Sequence, residues 1–259
     1  MMLVIDVGNT RMKWGRWQTG RLEPLGSQRH HGSSNWQALF DACFGGQAAP
    51  GLVAVSNVAG VDAREALSRW AAEHWPATRV VFARSEAVCC GVRNAYGDPG
   101  QLGVDRWMAL LGAHHTLVPP LWVVDCGTAL TLDLLADGGR HCGGLIMPGV
   151  ALMQEAVAAR AAGIAQWSGG AVVPAAERGQ LGRSTGEGLT LGSMHALAAA
   201  VDGLPEAAIP HVGRRASVAL TGGDARVVRD WIRVDAVEAP HLVLQGLVVA
   251  VGHDSHPGR

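Results

Sequence analysis

Two short apolar runs, each ending in Asp-X-Gly, set the pattern of this chain. Leu3-Val4-Ile5 leads into Asp6-Val7-Gly8-Asn9-Thr10, and Leu121-Trp122-Val123-Val124 leads into Asp125-Cys126-Gly127-Thr128. Short β-branched runs bounded by turn residues predict buried strands. Trp14 to Trp17 and Thr131 to Leu135 predict the return strands, the first closed by a turn at Gln18-Thr19-Gly20-Arg21. In the first half, residues 35–44 predict a helix capped by Asn35, Gly51 to Val58 a buried strand, Asp62 to His74 an amphipathic helix, and Arg79 to Phe82 a strand. That β-β-α-β-α-β order fits an α/β domain. A turn-rich stretch, residues 93–105, then runs into a helix predicted over Arg106 to Thr116.

Pro119-Pro120 marks a boundary, giving domains over 1–118 and 119–259. In the second half, Cys142 to Gly149 predicts a strand end entering a helix from Val150 to about Ala162, and residues 163–188 read as loop. Helices are predicted over Gly188 to Ala200, from Ala225 onward, and over His241 to Val251, with His253 to Arg259 as a frayed tail. Ser217 to Thr221 predicts a strand entering the Gly222-Gly223 turn. Such a turn can pack on a flat base and ribose, or serve as an ordinary connection.

The two Asp-X-Gly turns carry the candidate chemistry. Each puts a carboxylate at a strand end, a glycine that lets backbone N–H groups approach an anion, and Asn or Thr donors beside it. That set suits a phosphate together with its metal ion. The two copies sit almost half a chain apart, which predicts an internal duplication, with each half lending one turn to a shared nucleotide cleft. The 93–105 stretch, with Asn94, Tyr96, Asp98 and Asp105 poised at a helix start, reads either as a substrate site or as a crossover loop capped by Asp105.

Composition narrows the picture. A chain of 259 residues with 48% hydrophobic and 17% charged residues builds a substantial core. A net charge of −1 with scattered basic residues argues against nucleic acid as a partner. The five cysteines lack CxxC spacing and read as reduced cytosolic thiols, with adjacent Cys89-Cys90 read as core or loop filler. The adjacent pairs His30-His31 and His114-His115 make poor metal sites, because neighbours point in different directions. The N-terminus does not resemble a signal peptide, and no run reaches about 18 apolar residues, so a cytoplasmic protein without a membrane partner is expected.

Taken together, the two phosphate turns resemble the actin, sugar kinase and Hsp70 superfamily, in which duplicated ribonuclease-H-like (actin-like ATPase) domains flank an ATP cleft. Six stretches in order, DVGNTRMKWG (6–15), NAYGDPGQLGVDRW (94–107), VVDCGTALTLD (123–133), GGLIMPG (143–149), LGRSTGEGL (181–189) and TGGDA (221–225), resemble type III pantothenate kinase, of the pantothenate kinase/Bvg accessory factor family. The resemblance implies ATP-dependent phosphorylation of pantothenate, the first committed step toward coenzyme A. It implies ATP contacts from Asp6, Val7, Gly8, Asn9, Thr10, Arg11, Met12, Lys13 and Thr128, with Lys13 meeting phosphoryl charge and Asp6 holding Mg²⁺. Asp105 would be the catalytic base; transfer through a loose transition state asks for positioning more than basicity. Tyr96, Gly103, Val104, Asp105, Arg106 and Thr185 would bind pantothenate, with Arg106 facing its carboxylate. Asp125 would bind a monovalent cation, K⁺ or NH₄⁺. A homodimer is also implied.

The chain departs from the family at Ser184-Thr185, where Asn-Thr is common, so the local loop can differ. Two other readings compete. A catalytically silent regulatory accessory factor of the same family would be expected to lose Asp6, Asp105 or Asp125. A different small-molecule kinase or a phosphatase on the same scaffold is opposed by the Tyr96 to Arg106 loop.

Overall fold

The computed structural model describes residues 1–30, 35–160 and 178–254. They divide into two compact units, one of Met1–Leu117 with His241 onward, the other Val118–Pro240.

The first unit is built on a five-stranded sheet. Strands β1 (Met2–Val7), β2 (Arg11–Gln18) and β3 (Arg21–Arg29) form an antiparallel meander. Helix α1 (Trp36–Phe44), strand β4 (Leu52–Asn57), helix α2 (Val61–His74) and strand β5 (Arg79–Phe82) follow. β4 and β5 add in parallel on the other side of β1, giving the order β3-β2-β1-β4-β5. Asn35 caps α1 as expected, its Oδ1 accepting from the Ala38 N–H at 3.0 Å. β1 carries buried side chains on both faces, as a central strand does. One core layer packs Trp36, Phe40 and Phe44 of α1 against Leu67 and Trp70 of α2 and against β1. The Trp70 indole N–H is satisfied by Asp41 Oδ1 at 2.6 Å.

β3 was not anticipated. Its residues are mostly exposed, so no buried face marks it, and its pairing with β2 defines it. A hairpin of two two-residue strands, β6 (Val88–Cys89) and β7 (Val92–Arg93), also lies where the sequence predicts no element, at the Cys89-Cys90 pair read as core or loop filler. It leads through a short 3₁₀ turn at Pro99–Gln101 to α3 (Val104–Thr116). α3 begins two residues before the expected Arg106, and its N-cap is Gly103, not Asp105.

The second unit repeats the first. Strands β8 (Leu121–Cys126), β9 (Ala129–Ala136) and β10 (Arg140–Pro148) form the meander. Then come helices α4 (Val150–Ala158), α5 (Thr185–Asp202), α6 (Leu204–Ala207) and α7 (Ile209–Val212), strand β11 (Ser217–Gly222), helix α8 (Ala225–Trp231) and strand β12 (Ala236–Glu238). β11 joins β8 in parallel and β12 joins β11, so β10-β9-β8-β11-β12 repeats the first unit's order and strand directions. This is the duplication that the two Asp-X-Gly runs predicted. Its core gathers Val124, Leu132, Met194, Leu197, Leu220 and Trp231. Residues 161–177, within the expected 163–188 loop and at the expected end of α4, lie outside the described residues. α5 starts at Thr185 rather than Gly188, with Ser184 as its cap.

The last helix, α9 (Leu242–Asp254), was expected with the second half but belongs to the first unit. It lies along α3 where Gly112 and Gly246 let the backbones touch. A methyl on Gly246 would overlap the Met108 carbonyl, and one on Gly112 the Leu242 carbonyl. α9 extends through Asp254, past the expected fraying at His253, and the remaining tail residues 255–259 lie outside the described residues. Among the described residues, no helix is long and apolar enough to cross a membrane.

Candidate active site

The first Asp-X-Gly turn joins β1 to β2. Register places Asp6 between Lys13 on β2 and Ser56 on β4, so the three side chains share one face of the sheet at neighbouring strands. Asp6 is 7% exposed and Ser56 fully buried, and among the described residues the Ser56 Oγ has no hydrogen-bond partner. The turn residues Gly8, Asn9, Thr10 and Arg11 are closed by the Gly8 N–H donating to the Arg11 carbonyl at 3.1 Å. His30 braces them from β3's end: its ring Nε2 lies 2.8 Å from the Gly8 carbonyl and its N–H donates to the Thr10 carbonyl at 3.0 Å. The ring also rests on Trp36, with centroids 4.6 Å apart. Among the expected ATP contacts, Val7 and Met12 point into the core, which leaves only their backbone for a ligand. Asn9 is exposed, while Gly8, Thr10, Arg11 and Lys13 are half-buried. The charge of Lys13 also acts on His241: partial burial of that ring and then the lysine's charge push its pKa below the ordinary value.

The substrate-loop candidates come together in the same unit. Asp105 stands in the first turn of α3, half-buried, with Oδ1 accepting the Arg106 N–H at 2.8 Å. Gly103 faces that carboxylate, since a methyl there would stand 2.7 Å from Oδ1. Arg106 is 7% exposed. Its guanidinium donates to Tyr96 Oη at 3.1 Å and lies 5.8 Å from the Tyr96 ring centre. Val104 is half-buried beside them. The loop is held by Asn94, whose Oδ1 accepts the Tyr96 N–H at 3.0 Å and whose Nδ2 donates to the Pro99 carbonyl at 3.3 Å. A buried guanidinium paired with a phenol, beside a carboxylate at a helix start, can receive an anionic group and a hydroxyl close together.

The second turn has the same plan with different residues. Asp125 on β8 lies between Thr221 on β11 and Thr131 on β9. The loop is one residue shorter, and the Gly127 N–H donates to the Ala129 carbonyl at 3.2 Å. Backbone walls it on two sides. A methyl on Gly149 would overlap the Gly127 carbonyl, and one on Gly222 would overlap Asp125 Oδ1 and the Cys126 backbone. The Asp224 N–H donates to the Cys126 carbonyl at 3.0 Å, which brings a second carboxylate into the turn. Burial first, then Asp125 and Asp224, push the Cys126 thiol far above its ordinary pKa. Thr128 is exposed at the tip. Thr185 is the exposed first residue of α5, whose end is closed by Ser184 Oγ accepting the Glu187 N–H at 3.3 Å and Glu187 Oε2 accepting the Arg183 N–H at 2.7 Å.

Ser56, His30 and Asp224 escaped sequence reasoning. The TGGDA run gives Asp224 no role, and His30 in the sequence offers only a poor metal pair with His31. Ser56 becomes visible only once β4 is registered on β1.

The family model for type III pantothenate kinase matches residues 2–207. The chain is 38% identical over 253 residues to a type III pantothenate kinase of Alkalilimnicola ehrlichii, covering 95% of each chain. It is 32% identical to one of Nitrosococcus oceani, covering 95% of this chain and 92% of that one. Among solved structures, a Campylobacter jejuni protein assigned to the Baf family of transcriptional activators superposes with a TM-score of 0.60 at 16% identity, covering 98% of both chains. The activator of 2-hydroxyisocaproyl-CoA dehydratase from Clostridium difficile, with bound ADPNP, superposes with a TM-score of 0.50 at 12% identity, covering 97% of this chain and 93% of that one. At those identities the structures speak to fold, and the fold is that of duplicated ribonuclease-H-like, actin-like ATPase domains. The sequence relatives decide the rest: this chain is a member of the type III pantothenate kinase family.

Proposed function

We propose that this protein transfers the γ-phosphoryl group of ATP to the hydroxyl of pantothenate, opening coenzyme A synthesis. The observation that carries this reading is the grouping of Asp105, Arg106 and Tyr96 at the head of α3. Arg106 and Tyr96 would receive the pantothenate carboxylate, and Asp105 would accept the proton from the hydroxyl as the phosphoryl group leaves ATP. Gly103 and Val104 would line the pocket. Thr185 would add a hydroxyl contact.

The first turn suits MgATP. Asp6 supplies a buried carboxylate, Lys13 a cation for phosphate charge, and the orphaned Ser56 hydroxyl a donor beside them. Gly8, Asn9, Thr10 and Arg11 would bind phosphate, and Thr128 would add a hydroxyl from the second turn. Mg²⁺ would neutralise charge on the phosphates, with Asp6 holding it directly or through water.

The second turn suits a monovalent cation. Asp125 and Asp224 converge on it, and no lysine stands where Lys13 stands in the first, because Thr131 takes that register position. K⁺ or NH₄⁺ would therefore be required. A homodimer is also proposed. Exposed Leu145 and Ile146 on β10 and Leu152 and Val157 on α4 offer apolar area for it, and light scattering on purified protein tests it.

The direct test is ADP release with ATP, Mg²⁺, K⁺ and pantothenate. Pantothenate-dependent turnover that falls by roughly 10²–10⁴-fold in Asp105→Asn supports the reading. A folded, ATP-binding protein with no turnover overturns it.

A further inference from the structure

The hairpin ahead of the substrate loop carries a feature that catalysis leaves unused. β6 and β7 are joined by Cys90-Gly91, with φ of +49° and +81°. Two central residues at positive φ make a type I′ turn, whose twist matches the strands and which favours Asn-Gly or Asp-Gly. A cysteine is unusual there, because the left-handed region is populated outside glycine mainly by Asn, Asp and His. The turn brings Cys90 Sγ to 3.4 Å from Cys89 Sγ and 3.6 Å from the Val249 carbonyl of α9. Both cysteines are partly exposed, and His114 of α3 faces the turn, its Nε2 3.1 Å from where a methyl on Gly91 would stand.

We propose that Cys89 and Cys90 form a redox-active dithiol that closes to an internal disulfide on exchange with a low-molecular-weight disulfide, and that closure weakens pantothenate binding. One thiolate attacks the small disulfide, forming a mixed disulfide and releasing one small thiol. The second thiolate attacks the protein sulfur of that mixed disulfide and releases the other. The protein loses two S–H bonds and two electrons and gains one S–S bond; the small disulfide takes both electrons and both protons.

Two physical arguments support reversibility and readout. Adjacent Cα atoms sit about 3.8 Å apart, below the roughly 4.4–6.8 Å that an unstrained disulfide spans. The closed form is therefore strained and easily reduced, as regulatory disulfides are. The readout path is short. Cys89 pairs with Val92 in the hairpin, and the Asn94 N–H closes its base on the Ala87 carbonyl at 2.9 Å. Asn94 is the residue that holds Tyr96 and Pro99. Distorting the Cys89–Cys90 peptide pulls on the segment that sets Tyr96 against Arg106. This second half of the proposal rests on the pantothenate reading of that loop. Cys126, buried and facing two carboxylates, has no comparable reactivity.

The test equilibrates the full chain with graded mixtures of oxidised and reduced glutathione, quenches with acid and alkylates. Thiols are then mapped by mass spectrometry while KM is measured in parallel. The expected result is a peptide holding Cys89 and Cys90 that is lighter by two hydrogens and is restored by dithiothreitol. KM for pantothenate should rise several-fold with KM for ATP unchanged. Cys90→Asn, which installs the favoured Asn-Gly turn, should fold, keep basal activity and ignore oxidised glutathione. Thiols that stay alkylatable at every ratio, mixed disulfide alone, or an equal KM response in Cys90→Asn would each overturn the proposal. A chain that forms the disulfide yet never turns over pantothenate would overturn the functional reading and leave the dithiol standing, because the mass readout is independent of activity.

Discussion

The two Asp-X-Gly turns come from one plan and have diverged in their chemistry. Both set an aspartate at the end of a central strand with a buried hydroxyl on the parallel neighbour, Ser56 beside Asp6 and Thr221 beside Asp125. They differ on the antiparallel neighbour, where Lys13 faces Asp6 and Thr131 faces Asp125. They differ again in support. The first turn is braced by a side chain, His30, while the second is walled by backbone at Gly149 and Gly222. A duplicated scaffold thus yields one turn with a lysine on the antiparallel neighbour of its aspartate and one with a threonine there, the difference on which the proposed phosphate and cation roles rest.

The sharpest way to break this contrast is to remove the built-in cation. Lys13→Met should lower kcat by roughly 10²–10³-fold in steady-state assays, as loss of a preorganised charge at a reacting group does. Thr131→Ser, at the same register position in the other turn, should change kcat by no more than about twofold, since it keeps the hydroxyl.

The supports can be compared with one glycine-to-alanine substitution in each turn. Gly222→Ala forces a methyl onto Asp125 and Cys126 at a φ of +96° and should cost about 3 kcal/mol in urea unfolding. Gly8→Ala meets only the Arg11 carbonyl at 3.1 Å, at an ordinary φ, and should cost about 1 kcal/mol or less. Equal losses would remove the distinction between a braced turn and a walled one.

Much of this was legible in the sequence. β1 and β8 announced themselves because a central strand is a continuous apolar run, and the glycine after each aspartate fixed the turn. Asn35 gave the α1 cap. What stayed hidden depended on pairing and on distance. β3 is an exposed edge strand without a buried face, and β6 and β7 are too short to show alternation. α5 begins at Thr185 under two glycines, Gly186 and Gly188, that suggest a loop. α9 follows the second unit in the chain but seats on α3 through Gly112 and Gly246, and chain order says nothing of that. Ser56 and Asp224 are ordinary residues until register puts Ser56 beside Asp6 and a turn hydrogen bond puts Asp224 beside Cys126.

Ser56 gives a subtler test. Its hydroxyl is buried without a partner among the described residues, so Ser56→Ala should leave the ligand-free protein unchanged or up to about 1 kcal/mol more stable. The same variant should raise KM for ATP several-fold. A stability loss would show that the hydroxyl serves the fold and not the nucleotide.

The smallest effect concerns His241 beside Lys13. Its folded-state pKa lies below the ordinary 6.5, through partial burial and then the lysine. Above that value the ring is neutral in both folded and unfolded chains. As pH falls through it the unfolded chain takes up the proton first, so stability declines toward the folded-state pKa. His241→Asn, which also tolerates the φ of +65°, should show a shallower loss between about pH 7 and 5 in urea midpoints. An unchanged slope would remove His241 from the electrostatics of the first turn.

The measurement that tests the account most directly is pantothenate-dependent ADP formation titrated with K⁺ against a Na⁺ background, in wild type and Asp125→Asn. The account predicts turnover that rises with K⁺ in the wild type and a variant that K⁺ no longer activates. Turnover equally fast in Na⁺ alone, or a variant still activated by K⁺ like the wild type, would contradict the division of labour between the two turns.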